Sequence, residues 1–187
     1  GLVGSEMCIR DRNLVTADEA KDFIDRCDLN GKFERSLAGD QLSPVRTSTQ
    51  CWCDEKDGCL AHPTVEKVTR RLLNVTRLPF ENAEYFQILK YEKGQFYRAH
   101  HDQQTAHWTP QGVRVLTFFV YLSDVEEGGG TKFDLGFTIT PKRGLTFSST
   151  RSPATPPTRS SVSRSKRSHR RPPTSSTWSP IWSCSCK

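Results

Sequence analysis

The triplet His100-His101-Asp102 sets an imidazole and a carboxylate two residues apart. Side chains at i and i+2 leave the same face of an extended strand, so His100 and Asp102 converge while His101 points away. One imidazole nitrogen and one carboxylate oxygen held in this way are two of the three donors of the facial arrangement that binds non-haem Fe(II) and leaves coordination positions open. Alone, the same triplet also describes an ordinary polar strand end.

The elements that must position it are legible on both sides. Thr16-Ala17-Asp18-Glu19 spells a capping box, in which the Thr hydroxyl and the Glu carboxylate each accept from the other's backbone N–H. A helix burying Ala20, Phe23 and Ile24 follows. A second helix is predicted from Pro63 to Val75, with Pro63 in its first turn and Val65, Val68, Leu72 and Leu73 on one stripe; Leu78-Pro79 ends it. Between them Gly31, Gly39, Pro44 and Gly58 mark loops, with one strand near Thr47 to Trp52.

From Ala83 the period changes to two. AEYFQILKY alternates, YRAHHD continues extended after Gly94, and Val113 to Leu122 is dense in β-branched and aromatic residues, as a central buried strand is. A turn at Gly128-Gly129-Gly130, a strand at 137–140 and a turn at 141–144 complete the pattern. Two helices followed by short strands give an α+β class, closed most naturally as an antiparallel barrel or jelly roll.

Charge divides the chain. The 27 Lys and Arg against 21 Asp and Glu give +6, but eight of the basic residues and none of the acidic ones lie in 151–187. The first 150 residues therefore hold 19 basic against 21 acidic residues, a net of −2. The overall basicity says nothing about a binding face on the folded part, and no nucleic-acid partner is expected for it. Residues 151–187 contain eleven Ser, six Pro and four Thr without any period, the composition of a disordered segment. No stretch approaches the ~18 consecutive apolar residues of a membrane span. Residues 1–12, GLVGSEMCIRDR, are similar to the conceptual translation of a sequencing adapter and are set outside the fold. The chain begins with Gly and reads as a fragment, so the absence of a targeting segment has no weight.

The run YEKGQFYRAHHD, then GVRVLTFFVYLSDVEEGGGTKF, then ITPKRG, resembles the catalytic domain of prolyl 4-hydroxylases of the Fe(II)/2-oxoglutarate dioxygenase superfamily. Arg46-Thr47-Ser48 with Trp52, and the helix ending in Leu78-Pro79, resemble its N-terminal part. The resemblance covers about residues 14–147. It implies a double-stranded β-helix (jelly roll, cupin-like) with N-terminal helices, and it implies oxidative decarboxylation of 2-oxoglutarate coupled to hydroxylation of prolyl C–H bonds, with O2 consumed and succinate and CO2 released. L-ascorbate is the implied reductant. His100 and Asp102 match two iron ligands. Tyr91 and Thr131 match residues that meet the distal carboxylate of 2-oxoglutarate, and Tyr97 and Arg114 match residues lining a groove for a proline-containing peptide. Without the resemblance these four are core aromatics, a turn residue and a solvated charge.

The resemblance also requires a second His on a late strand and a Lys beyond it, and neither is found after residue 147. His169 lies too early, in SKRSHRRPP, with no strand text around it. The division expected is therefore 1–12 as a scar, 13–147 as a partial dioxygenase domain that is incomplete at its C-terminal end, and 148–187 as a tail read out of frame. A chain with two of three ligands is expected to bind iron weakly and not to turn over. Two other readings stand beside this one: a catalytically dead fragment that binds peptides through Tyr97 and Arg114, and an RNA-binding Arg/Ser tail whose affinity falls steeply with salt.

Cys51, Cys53, Cys59 and His62 offer four zinc donors at a spacing that matches no common knuckle. A disulfide between Cys53 and Cys59 is preferred over zinc in the endoplasmic reticulum or secretory pathway that the resemblance implies, and free thiols are a third reading. Asn74-Val75-Thr76 is a glycosylation sequon at a helix end.

Overall fold

The capping box closes as its residues dictate. In the computed structural model of the chain, the Glu19 N–H donates to Thr16 Oγ1 at 3.2 Å and the Thr16 N–H to Glu19 Oε2 at 2.9 Å. Helix α1 (Ala17–Leu29) follows and buries Ala20, Phe23 and Cys27. Helix α2 (Pro63–Thr76) starts on His62, whose Nδ1 accepts from the Thr64 N–H, and buries Val65, Val68, Leu72 and Leu73 on the predicted stripe. The structure describes residues 9–11, 14–29, 31, 33–38, 41–56, 58–100, 102, 114, 116–133 and 136–150.

The helices cover one face of an antiparallel sheet ordered β2 (Glu34–Arg35), β3 (Thr49–Cys53), β4 (Phe86–Lys90). Alternation turns Cys51, Cys53, Phe86 and Ile88 to the helices, where Phe23 stands edge-on to Phe86 with centroids 5.6 Å apart. The other face carries Gln50, Gln87 and Leu89. A second sheet is ordered β1 (Ile9–Asp11), β8 (Thr146–Thr150), β5 (Leu116–Val120), and β6 (Thr131–Lys132) pairs with β7 (Thr138–Ile139). Strand β5 and the residues after it divide by parity. Leu116, Phe118, Val120 and Leu122 join the helix core, whereas Phe119 and Tyr121 pack with Phe133, Ile139, Leu145 and Phe147. Gly128 and Gly129, at φ 83° and 64°, make the return from β5 to β6 in a backbone region that a Cβ disfavours.

One alternative is set aside and three expectations are corrected. The Cys51, Cys53, Cys59 and His62 set is not a zinc site: Cys53 bonds to Cys59 as foreseen, Cys51 bonds to Cys27, and His62 caps α2. Alternation explains the doubling, since Cys51 and Cys53 share the face of β3 that α1 covers. The extended run does not reach His100: antiparallel pairing with residues 45–47 ends at Arg98, where the Val45 N–H turns to Ser43 Oγ and the Arg98 carbonyl to His100 Nδ1. Strand β8 passes residue 147 and ends at Thr150, its ladder to β5 holding Ser149 against Thr117. Ile9–Asp11, set outside the fold by its composition, lies as β1 against β8; backbone pairing is indifferent to side chains, and the outer edge of β8 takes an extended segment that reaches it.

Glu19 is the most constrained charge in this scaffold. It is 6% exposed, receives both Arg71 guanidinium nitrogens at 2.8 and 2.9 Å and the Lys67 ammonium at 3.2 Å, and its pKa falls from 4.5 to about 2, chiefly through the Arg71 hydrogen bonds. A depressed carboxylate pKa stabilises the fold above pH 4.5 and ceases to do so as pH falls toward 2. Glu19→Gln is therefore expected to cost about 3 kcal/mol at pH 7, at about 1.4 kcal/mol per pKa unit, and almost nothing near pH 2. Urea unfolding across that range checks it; a difference constant with pH would contradict it. Cys27→Ala/Cys51→Ala, which opens a loop of 24 residues, should cost about 3 kcal/mol, and Cys53→Ala/Cys59→Ala, which opens one of 6, about 2 kcal/mol. Equal losses in chemical denaturation would contradict the loop argument.

Candidate active site

Gly94, at φ 82°, turns the chain after β4 so that residues 96–98 run back along 45–47. The Thr47 N–H donates to the Phe96 carbonyl at 2.8 Å, the Phe96 N–H to Thr47 Oγ1 at 2.7 Å, and the Arg98 N–H to the Val45 carbonyl at 2.9 Å. This pairing joins the two sequence motifs. Arg46 lies opposite Tyr97, with its guanidinium carbon 4.7 Å from the ring centroid, and Tyr97 stacks on His100 at 3.7 Å and 21°.

His100 Nδ1 meets the Arg98 carbonyl at 2.8 Å, and Nε2 stands 3.1 Å from Asp102 Oδ1. The second carboxylate oxygen, Oδ2, accepts from the Thr117 hydroxyl at 2.6 Å. Burial raises the Asp102 pKa, but the hydrogen bonds from His100 and Thr117 and the charges of His100 and Arg114 outweigh it and hold the carboxyl below its ordinary value. The pair fits a divalent first-row ion. With Nδ1–H donated to a carbonyl, Nε2 is the nitrogen that a metal would take once the proton it directs at Asp102 is lost, as in sites whose second shell fixes the tautomer. Two donors in adjacent octahedral positions, each about 2.1 Å from the ion, stand about 3 Å apart, which is the separation observed. Among the described residues no group of three or more His, Cys, Asp and Glu completes a metal site.

The remaining candidates fall into two places. Tyr91 and Tyr97 lie with Arg46: burial raises the pKa of both phenols, and Ser48 and Arg46 work against the rise at Tyr91. Arg114 is held by Glu84, with Nε 2.8 Å from each carboxylate oxygen and Nη2 2.7 Å from Oε2. It adds positive potential at Asp102 and Tyr97. Thr131 lies apart on β6, its hydroxyl 2.7 Å from the Tyr121 hydroxyl. No contact joins it to His100, Asp102 or Tyr91 among the described residues. Thr117 and Tyr121 leave the same face of the β5 run four residues apart, so the Asp102 and Thr131 contacts are separated by roughly 13 Å along it.

Three participants escape a reading by motif: Arg46 as the cation over Tyr97, Thr117 on the carboxylate, and Tyr121 on Thr131. A signal for Thr117 and Tyr121 exists, since they are the two hydroxyl-bearing side chains in the otherwise apolar run Leu116 to Leu122 and share one parity.

Residues 86–181 match the model of the 2OG-Fe(II) oxygenase superfamily, a span that continues past the last described residue and includes His169. A probable prolyl 4-hydroxylase 9 from Arabidopsis thaliana is 32% identical over 131 residues, covering 65% of this chain and 44% of the relative. The prolyl 4-hydroxylase subunit alpha-2 of Gallus gallus is 38% identical over 108 residues, covering 55% and 20%. The chain thus spans less than half the length of these relatives. The crystal structure of a viral collagen prolyl hydroxylase from Paramecium Bursaria Chlorella virus-1, in its 2OG complex, superimposes with a TM-score of 0.56 at 25% identity, covering 77% of each chain.

Thr117→Val removes the hydroxyl while keeping shape. It is expected to weaken Mn(II) binding at least tenfold by calorimetry while leaving the circular dichroism spectrum unchanged, because its partner is the Asp102 carboxylate, a candidate metal donor. Unchanged affinity would show that the Asp102 carboxylate does not depend on it.

Proposed function

Because the chain belongs to the 2OG-Fe(II) oxygenase superfamily, we propose that it is part of the catalytic domain of a prolyl 4-hydroxylase, in which His100 and Asp102 are two of the iron ligands. The observation behind this is the pair itself, an imidazole Nε2 and a carboxylate oxygen 3.1 Å apart, each oriented from behind by Arg98 and Thr117. Fe(II) with 2-oxoglutarate and O2 supplies the oxidation of a substrate C–H, releasing succinate and CO2.

The residues of this chain do the positioning. Arg98 and Thr117 hold the two donors in one orientation, so little reorganisation is needed on loading. Tyr97, packed between Arg46 and His100, presents an aromatic edge beside the metal position against which a prolyl ring can rest, while Arg114, fixed by Glu84, offers N–H donors to the carbonyls of a peptide substrate. Tyr91 and Thr131 are assigned to 2-oxoglutarate on the strength of the resemblance. Thr131 has Tyr121 beside it as a second hydroxyl.

The sheets β2–β3–β4 and β1–β8–β5 are read as the two walls of a jelly roll that lacks its last strands. The domain is assigned to residues 13–147 with the strand end to Thr150, and the later residues are read as out of frame, leaving the third iron ligand and the lysine for 2-oxoglutarate outside the chain as written. The superfamily match to residue 181 makes His169 the competing third ligand. Two buried disulfides support a secretory or endoplasmic reticulum setting, where L-ascorbate serves as reductant.

The test is succinate release and peptidyl hydroxyproline formation on a proline-rich peptide with Fe(II), 2-oxoglutarate and ascorbate. The chain as written is expected to give neither. A chain continued in the alternative frame after Gly144 is expected to give both, and to lose both on Asp102→Ala. Turnover by the chain as written, abolished by His169→Ala, would overturn the assignment of the third ligand.

A further inference from the structure

Asn74, Val75 and Thr76 form the one Asn-x-Ser/Thr sequence in the chain, and the dioxygenase reading makes no use of it. We propose that Asn74 is an N-glycosylation site. The fold presents it for this. Asn74 is exposed in the last turn of α2 and makes no side-chain hydrogen bond among the described residues, so a sugar on its amide displaces nothing. The helix ends directly afterwards, with Arg77 at φ 57° turning the chain away. Next to Asn74 the helix end exposes an apolar side chain, with Val75 43% exposed. An oligosaccharide there covers and solubilises that helix end.

One independent feature points to the compartment in which this modification is made. Cys27–Cys51 and Cys53–Cys59 are both bonded and buried, a pattern of oxidising compartments and not of the cytosol. The sequon also has Thr at its third position. In the folded helix the Thr76 hydroxyl already donates to the Leu72 and Leu73 carbonyls, at 3.2 Å each. Transfer therefore precedes closure of the last helical turn, on the extended nascent chain. The co-reactant is a lipid-pyrophosphate-linked oligosaccharide. Asn74 Nδ2 forms a C–N bond to the anomeric carbon, the C–O bond to the pyrophosphate breaks and its electron pair leaves with the lipid pyrophosphate, and the amide proton passes to a base. No redox change is involved.

The proposal is independent of the hydroxylase assignment. The test is expression of the full 187-residue chain behind a cleavable secretion leader in eukaryotic cells, followed by peptide N-glycosidase treatment and mass spectrometry of the tryptic peptide Leu72–Arg77. The expected result is a mobility shift sensitive to the glycosidase and a peptide recovered with Asn74 converted to Asp. Asn74→Gln and Thr76→Ala should each abolish the shift, while Thr76→Ser should keep it in part. Asn74→Gln should retain both disulfides, because Asn74 has no partner to lose. Recovery of Leu72–Arg77 in unmodified form alone, or a shift that survives Asn74→Gln, would overturn the proposal.

Discussion

The pairing of residues 45–47 with 96–98 is the contact on which the site depends. Each hydrogen bond in it contributes only about 1 kcal/mol net, yet together they bring segments fifty residues apart in the sequence to one place and stack Arg46, Tyr97 and His100 in a column. The pairing ends at Arg98, whose carbonyl meets His100 Nδ1 while the Val45 N–H donates to Ser43 Oγ. The geometry of the His100 and Asp102 pair follows from where that short ladder stops.

Buried charge is managed in the same way throughout. Glu19 is held by Arg71 and Lys67 at the junction of the helices, and Arg114 by Glu84 beside the site. Arg46 is the exception. Burial lowers its pKa, Tyr91 and Tyr97 work against that effect, its Nη atoms donate to Leu37 and Gln87, and its Nε has no partner among the described residues.

Much of this was legible in the residues. The capping box at Thr16, the stripe of α2 and the alternation of β4 are local patterns, and local patterns survive into the fold. His100 and Asp102 do converge, although through a bend after Arg98 and not by strand alternation, because the place where pairing stops is set by a segment far away in sequence. The Cys27–Cys51 bond, the cation over Tyr97, and the Thr117 and Tyr121 hydroxyls were not legible. Each is a relation between elements, and period alone does not say which face of β3 meets α1 or which face of β5 meets Asp102. The placement of Ile9–Asp11 against β8 belongs to the same class, since an open edge accepts a strand that composition would exclude.

The central claim is that His100 and Asp102 hold a metal together through Nε2 and one carboxylate oxygen. It is tested most directly by nitrogen-15 NMR of the histidine rings in the full chain during titration with Zn(II), a diamagnetic ion that accepts the same donors. The account predicts that the His100 Nε2 resonance shifts as metal binds while Nδ1 remains protonated, and that Asp102→Asn abolishes the response. A His100 resonance that does not move, or one that moves equally in Asp102→Asn, would contradict it.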